Sequence, residues 1–145
     1  MTALTEAGRE WIVDATGASP SALRDLARVQ GVIALLISEM KLSPLGTPQW
    51  HVFPGEGGLT GMVMLSESHV TVHTFPELGL ATFNLYCCRP RTAWPWQVRL
   101  TQLLGAARVH VREIERGVST PIEDEAPDTD RSSLIPRRLD VEGDR

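Results

Sequence analysis

Two short runs near the middle of the chain restrict its fold more than anything else in it. Across residues 69–74, His69, Thr71 and His73 alternate with Val70 and Val72. Across residues 81–88, Phe83, Leu85 and Cys87 alternate with Asn84, Tyr86 and Cys88. A period of two puts each set on its own face of a strand. One face is apolar; the other carries imidazoles, a hydroxyl and a thiol. That is the pattern of a sheet covered on one side only.

The rest of the chain supplies the cover. A helix is expected from a cap at Ser19 or Ser21 to about residue 41, with Asp25 in its early turns and Leu23, Leu26, Ala27, Ile33, Leu36, Ile37 and Met40 at helical spacing. A second helix is expected from the Pro90 to Pro95 stretch to about Leu104, with Gly105 as its stop. Further strands are expected at residues 11–16, 49–53, 60–65 and 107–115, after a loose lead-in over residues 1–9. The order reads β-α-β-β and then β-β-α-β, with the halves meeting near residue 67. This predicts an α+β fold: a two-layer sandwich of a mostly antiparallel sheet with helices on one face, built from two βαβ-like halves.

Charge separates a body from a tail. The net charge of −4 arises in residues 118–145, which hold eight acids and four arginines. Residues 1–117 are balanced, so they have no basic footprint for nucleic acid. The tail is polar, acidic and proline-containing, and it is expected to be disordered. No run of 18 apolar residues is present, so no membrane span is expected. The N-terminus shows no basic segment leading into an apolar one, so a cytoplasmic protein is expected. Cys87 and Cys88 are adjacent and point to opposite faces, so both are expected as free thiols in a reducing compartment.

The segment from Gly57 to Glu77 carries the chemistry. It holds Gly58-Leu59-Thr60-Gly61, Glu67-Ser68-His69 and Val72-His73-Thr74-Phe75-Pro76-Glu77, and Leu85-Tyr86-Cys87-Cys88 follows. A phosphate loop is excluded at Gly55, Gly57, Gly58 and Gly61, because they lack the Lys-Ser/Thr ending and precede a strand. No zinc site is expected, because the pair His69 and His73, even with a cysteine nearby, has no third ligand of convincing spacing.

These motifs resemble the prokaryotic S-adenosylmethionine decarboxylase family, whose members cut themselves at a Glu-Ser bond. Ser68 to His73 and Ser68 to Cys88 match the family spacing, and Arg108–Val111 and Glu115-Arg116-Gly117 resemble its last strand. The resemblance implies a decarboxylase domain over residues 1–117, self-cleaved between Glu67 and Ser68. It makes Ser68 the precursor of a pyruvoyl cofactor, which forms a Schiff base with the substrate amine. It makes His73 the processing base, Thr60 the processing hydroxyl and Cys88 the proton donor. A weak hydroxyl nucleophile needs such positioned partners. Phe53, Phe75 and Glu77 are the expected substrate-binding residues. The implied product feeds spermidine synthesis, and the implied assembly is a homo-oligomer, a dimer of cleaved protomers. His69 is read as ordering the turn, and His110 as structural.

Four positions depart from the family pattern. Thr60 replaces serine and keeps the hydroxyl. Phe75 replaces tryptophan and keeps an aromatic face. Asn84 stands where an acid is usual, and Arg89 where glycine is usual. Losing an acid and gaining a guanidinium is expected to weaken attraction for a sulfonium cation. Two alternatives stay open: a pyruvoyl-dependent decarboxylase of arginine or ornithine, and a non-catalytic regulatory relative.

Overall fold

The computed structural model describes residues 7–117. The expected tail, residues 118–145, lies outside the described residues. So does most of the expected lead-in, but the first strand begins earlier than residue 11. β1 is Gly8–Thr16, followed by α1 (Pro20–Leu23) and α2 (Leu26–Glu39). Then come β2 (Gln49–Val52), β3 (Leu59–Leu65), β4 (Ser68–Phe75) and β5 (Leu80–Cys87), with a 3₁₀ turn over Pro76–Leu78 between the last two. α3 (Trp96–Leu104) and β6 (Arg108–Arg116) complete the described chain.

The six strands form one sheet in the order β2-β3-β4-β5-β1-β6. All five neighbouring pairs are antiparallel. β1 is thus inserted between β5 and β6, so the two halves of the sequence interleave. β1 has the pattern for this place: Trp11, Val13 and Ala15 are fully buried and alternate with half-buried residues.

The helices cover one face. Val70 and Val72 of β4, and Phe83, Leu85 and Cys87 of β5, pack there with Leu23, Val29, Val32, Ile33, Leu36, Leu100 and Leu104. The alternation predicted for both strands is observed. The single helix expected from Ser19 to residue 41 is two helices. Ser19 caps α1, accepting from the Ala22 N–H. Asp25 then caps α2 rather than lying within a helix, its Oδ1 accepting from the Arg28 N–H at 3.1 Å. A side chain that bonds the backbone locally competes with the helix ladder and restarts it. Gly105 ends α3 with a φ of 68°, as expected of a glycine stop.

The two glycines of the Gly58-Leu59-Thr60-Gly61 motif have packing reasons. A Cβ at Gly61 would lie 2.4 Å from the Trp50 ring. One at Gly58 would lie 2.7 Å from the carbonyl oxygen of Thr74. No helix among the described residues is long and apolar enough to cross a membrane.

Candidate active site

β3 and β4 meet at Ser66-Glu67, and Ser68 opens β4. In register Ser68 lies opposite Leu65 and Cys87, both on the covered face. A regular strand would therefore turn its side chain toward the core. Instead Ser68 has a φ of 151°, a value that a side chain rarely adopts. Such backbone strain costs about 1–3 kcal/mol and persists only where the surroundings impose it. The Ser68 Oγ lies 3.0 Å from Nδ1 of His69, whose ring stands 6.1 Å from Tyr86 on the open face. This departure from the pleat resolves the conflict that strand parity alone predicts for Ser68.

The bond before Ser68 is held at several points. The carbonyl oxygen of Glu67 accepts the Cys88 backbone N–H at 2.9 Å. The Glu67 carboxylate accepts the Ser43 N–H at 3.1 Å and a donor from Arg91 at 3.4 Å. Burial alone would raise its pKa, but the Ser43 N–H and neighbouring hydrogen bonds outweigh that and hold it below the usual carboxylate range. Of the two thiols, Cys87 is buried and Cys88 exposed, and neither is in a disulfide. Burial pushes the Cys87 thiol up to about 11.

A second group of residues gathers on the same open face, farther along β4. Thr60 Oγ1 lies 2.6 Å from Nδ1 of His73. The His73 ring packs against Phe75, with centroids 4.4 Å apart, and against Phe53 at 5.5 Å. His51 meets Phe53 edge-on at 4.6 Å. Phe53, His73, Phe75 and Glu77 line a cavity of about 310 Å³. A larger cavity of about 520 Å³, between α2 and β2, is lined by Ile33, Ile37, Pro44, Thr47, Trp50 and Val63 and holds none of Ser68, His73 and Cys88.

Within one chain the structure therefore forms two separate groups of residues on the open face. Ser68, His69, Glu67 and Cys88 make one; Thr60, His73, Phe53, Phe75 and Glu77 make the other. Five residues of extended chain separate Ser68 from His73, roughly 16 Å at ~3.3 Å per residue. That exceeds hydrogen-bond reach.

Sequence reasoning also missed Glu10, which lies on β1, two strands from β4. Asn84 Nδ2 donates to Glu10 Oε1 at 2.7 Å, and Arg116 pairs with the same carboxylate. The Asn84 hydrogen bond, with Arg116 beside it, holds Glu10 below the usual carboxylate range against the effect of burial. An acid thus does adjoin position 84, supplied by a neighbouring strand. Arg89 is exposed. Among the described residues, no group of three or more His, Cys, Asp or Glu is placed to hold a metal ion.

Comparison with known proteins bears on the fold and the family. The fold matches the crystal structure of the adenosylmethionine decarboxylase from Aquifex aeolicus, with a TM-score of 0.66, 23% identity, and coverage of 81% of this chain and 96% of that one. The S-adenosylmethionine decarboxylase proenzyme of Moorella thermoacetica is 35% identical over 79% of this chain and 90% of its own length. The proenzyme of Thermotoga maritima is 47% identical over 62 residues, 41% of this chain and 47% of that one. Residues 9–117 match the model of S-adenosylmethionine decarboxylase, and the chain belongs to that family.

Proposed function

We propose that this chain is a proenzyme that cuts itself between Glu67 and Ser68 and then decarboxylates S-adenosylmethionine. The observation that carries this reading is the Glu67-Ser68 turn: a strained serine follows a carbonyl already hydrogen-bonded by the Cys88 N–H. The Ser68 Oγ attacks the Glu67 carbonyl carbon. A C–O bond forms, the C–N bond breaks, and the nitrogen takes the proton. The Cys88 N–H is placed to stabilise the oxyanion between these events. Loss of the Ser68 α-proton then expels the Glu67 carboxylate. The dehydroalanine that remains takes up water and releases ammonia, leaving a pyruvoyl group at position 68.

Residue 68 is only half-buried, at the mouth of a turn, so a keto group there fits and remains reachable by a substrate amine. When formed, that group supplies an electron sink for the electrons left by departing carbon dioxide. Cys88, exposed one residue past β5, is the proton donor to the product. His73, with Thr60 at its Nδ1, serves the α-proton step of processing. Phe53 and Phe75 offer aromatic faces to an adenine or a sulfonium, and Glu77 offers a carboxylate to a ribose hydroxyl or a cation.

His73 and its cavity reach Ser68 only if another copy supplies them, so the functional unit is a homodimer of cleaved protomers. Met62, Met64, Phe53 and Ile114 leave the open face 54%, 60%, 40% and 41% exposed, apolar surface available to a second copy. A two-fold pairing of open faces is self-complementary and can set His73 of one copy against Ser68 of the other. Two unpaired cysteines suit a reducing compartment, and the cytoplasm is the proposed location. Residues 1–117 form the catalytic domain and residues 118–145 a dispensable tail. Truncation after residue 117 is expected to leave cleavage and melting temperature unchanged.

Intact mass under denaturing conditions tests the cleavage. Wild type is expected as residues 1–67 and 68–145, the latter blocked at its N-terminus, with Ser68→Ala uncut. A wild type that stays full length after long incubation overturns the reading. Carbon dioxide release is expected from S-adenosylmethionine rather than from arginine or ornithine. The family match and named relatives support that substrate over the other two. Release from arginine or ornithine alone would reverse the choice.

A further inference from the structure

The turn that carries the scissile bond is gripped from two sides. The loop after α2 lies against it: the Ser66 N–H donates to the Ser43 carbonyl at 2.8 Å, and the Ser43 N–H donates to Glu67 Oε2. The loop after β5 closes over the other side. There Arg91 Nη1 donates to the Met40 carbonyl at 2.7 Å, and Nη2 reaches Glu67 Oε1. One guanidinium thus ties three segments together: the end of α2, the β3–β4 turn and the chain leaving β5. The Glu67 side chain is only 12% exposed and that of Arg91 26%. For a turn residue that is deep, because turn carboxylates are ordinarily solvated.

We propose that Arg91 is the positioning residue for self-cleavage: by fixing the Glu67 side chain it holds the scissile peptide in the strained conformation from which Ser68 attacks. The inference rests on the self-cleaving reading above. A serine at a φ of 151° relaxes to an ordinary strand or turn geometry unless something prevents it. Three contacts hold Glu67. The Cys88 N–H holds its carbonyl oxygen, and the Arg91 and Ser43 contacts hold its side chain. The first is backbone and cannot be tuned by sequence. The side-chain contact can, and a charge-assisted hydrogen bond from a guanidinium gives it direction as well as strength. Arg91 does not touch the reacting atoms; it acts through Glu67. Nothing in the linear sequence marks it, because Glu67 and Arg91 lie 24 positions apart.

The test follows cleavage of the full chain over time by intact mass. Arg91→Ala is expected to slow the cut by ~10- to 100-fold, the effect of losing a charged hydrogen bond and its alignment. Adding guanidinium ion to Arg91→Ala is expected to restore part of the rate, and Arg91→Lys to fall between the two. Glu67→Gln is expected to slow the cut similarly, with Arg91→Ala adding little in that background. Melting temperatures are read on uncut Ser68→Ala chains with and without Arg91→Ala, and are expected to stay close. If wild type cuts and Arg91→Ala cuts equally fast, the inference fails while the self-cleaving reading stands. A slowing that guanidinium does not relieve, accompanied by a lower melting temperature, assigns Arg91 a structural role and also overturns it. If wild type itself does not cut, both readings fall.

Discussion

Cys87 and Cys88 are neighbours with opposite fates, and the pleat of β5 is the cause. Cys87 faces the helices and is fully buried; Cys88 lies just beyond the strand and is exposed. Burial disfavours the thiolate, and reactivity follows the thiolate. Brief alkylation at pH 8 followed by peptide mass mapping is therefore expected to label Cys88 and spare Cys87. Equal labelling would contradict the assigned faces. In turnover the difference is expected to be larger. Cys88→Ala should still cut itself but lose ~10²–10⁴-fold in carbon dioxide release, the usual contribution of a positioned proton donor. Cys87→Ala should retain most activity. Glu10 makes a separate, pH-dependent contribution. Its folded pKa is depressed, so its stabilisation is fully present above the unfolded value and is lost as pH falls through the folded one. Glu10→Gln in the uncut Ser68→Ala chain is expected to flatten the acid limb of stability against pH. An unchanged acid limb would remove Glu10 from that role.

Among the elements, β2 is the least secured. It is four residues long, lies at the edge of the sheet, and only Trp50 of it is partly buried. That ring occupies the space a side chain at position 61 would need. Gly61→Ala is expected to push Trp50 aside and destabilise the chain by ~1–3 kcal/mol, the common cost of overpacking. Urea denaturation of the uncut Ser68→Ala chain measures this. A wild-type midpoint would mean that Trp50 repacks freely. The same edge carries His51 and leads into Phe53, so the variant is also expected to weaken substrate binding more than self-cleavage.

For the proposed homodimer, the separation of Ser68 from His73 makes the strongest prediction. Co-expressed His73→Ala and Ser68→Ala chains, distinguished by mass, should complement one another. If His73 acts across a two-fold interface, the His73→Ala chain is cut when its partner is the Ser68→Ala chain. It stays uncut when paired with itself. Cutting of His73→Ala alone at the wild-type rate would exclude the histidine from processing. Replacing Met62 and Met64 with glutamate is expected to yield monomers by sedimentation, with cleavage lost together with the dimer. Monomers that cut at the normal rate would show that each chain is self-sufficient.

Much of this was legible in the linear sequence, because it depends on local period and local chemistry. The alternation in β4 and β5 predicted both faces, including which cysteine is buried, since a strand has only two sides. The Gly105 stop, the strand order along the chain and the Glu-Ser-His motif are equally short-range. The break between α1 and α2 was not legible: Asp25 suits either an early helical turn or a cap, and its backbone contact decides between them. Two further features depend on pairing between distant segments. β1 enters between β5 and β6, which brings the Glu10 carboxylate, paired with Arg116, to Asn84. Arg91 meets Glu67 because two loops close over one turn. The separation of Ser68 from His73 is local instead: both lie on β4, and an extended strand cannot fold back over five residues. Local sequence determined which groups this protein has; long-range pairing of the backbone determined which of them can meet.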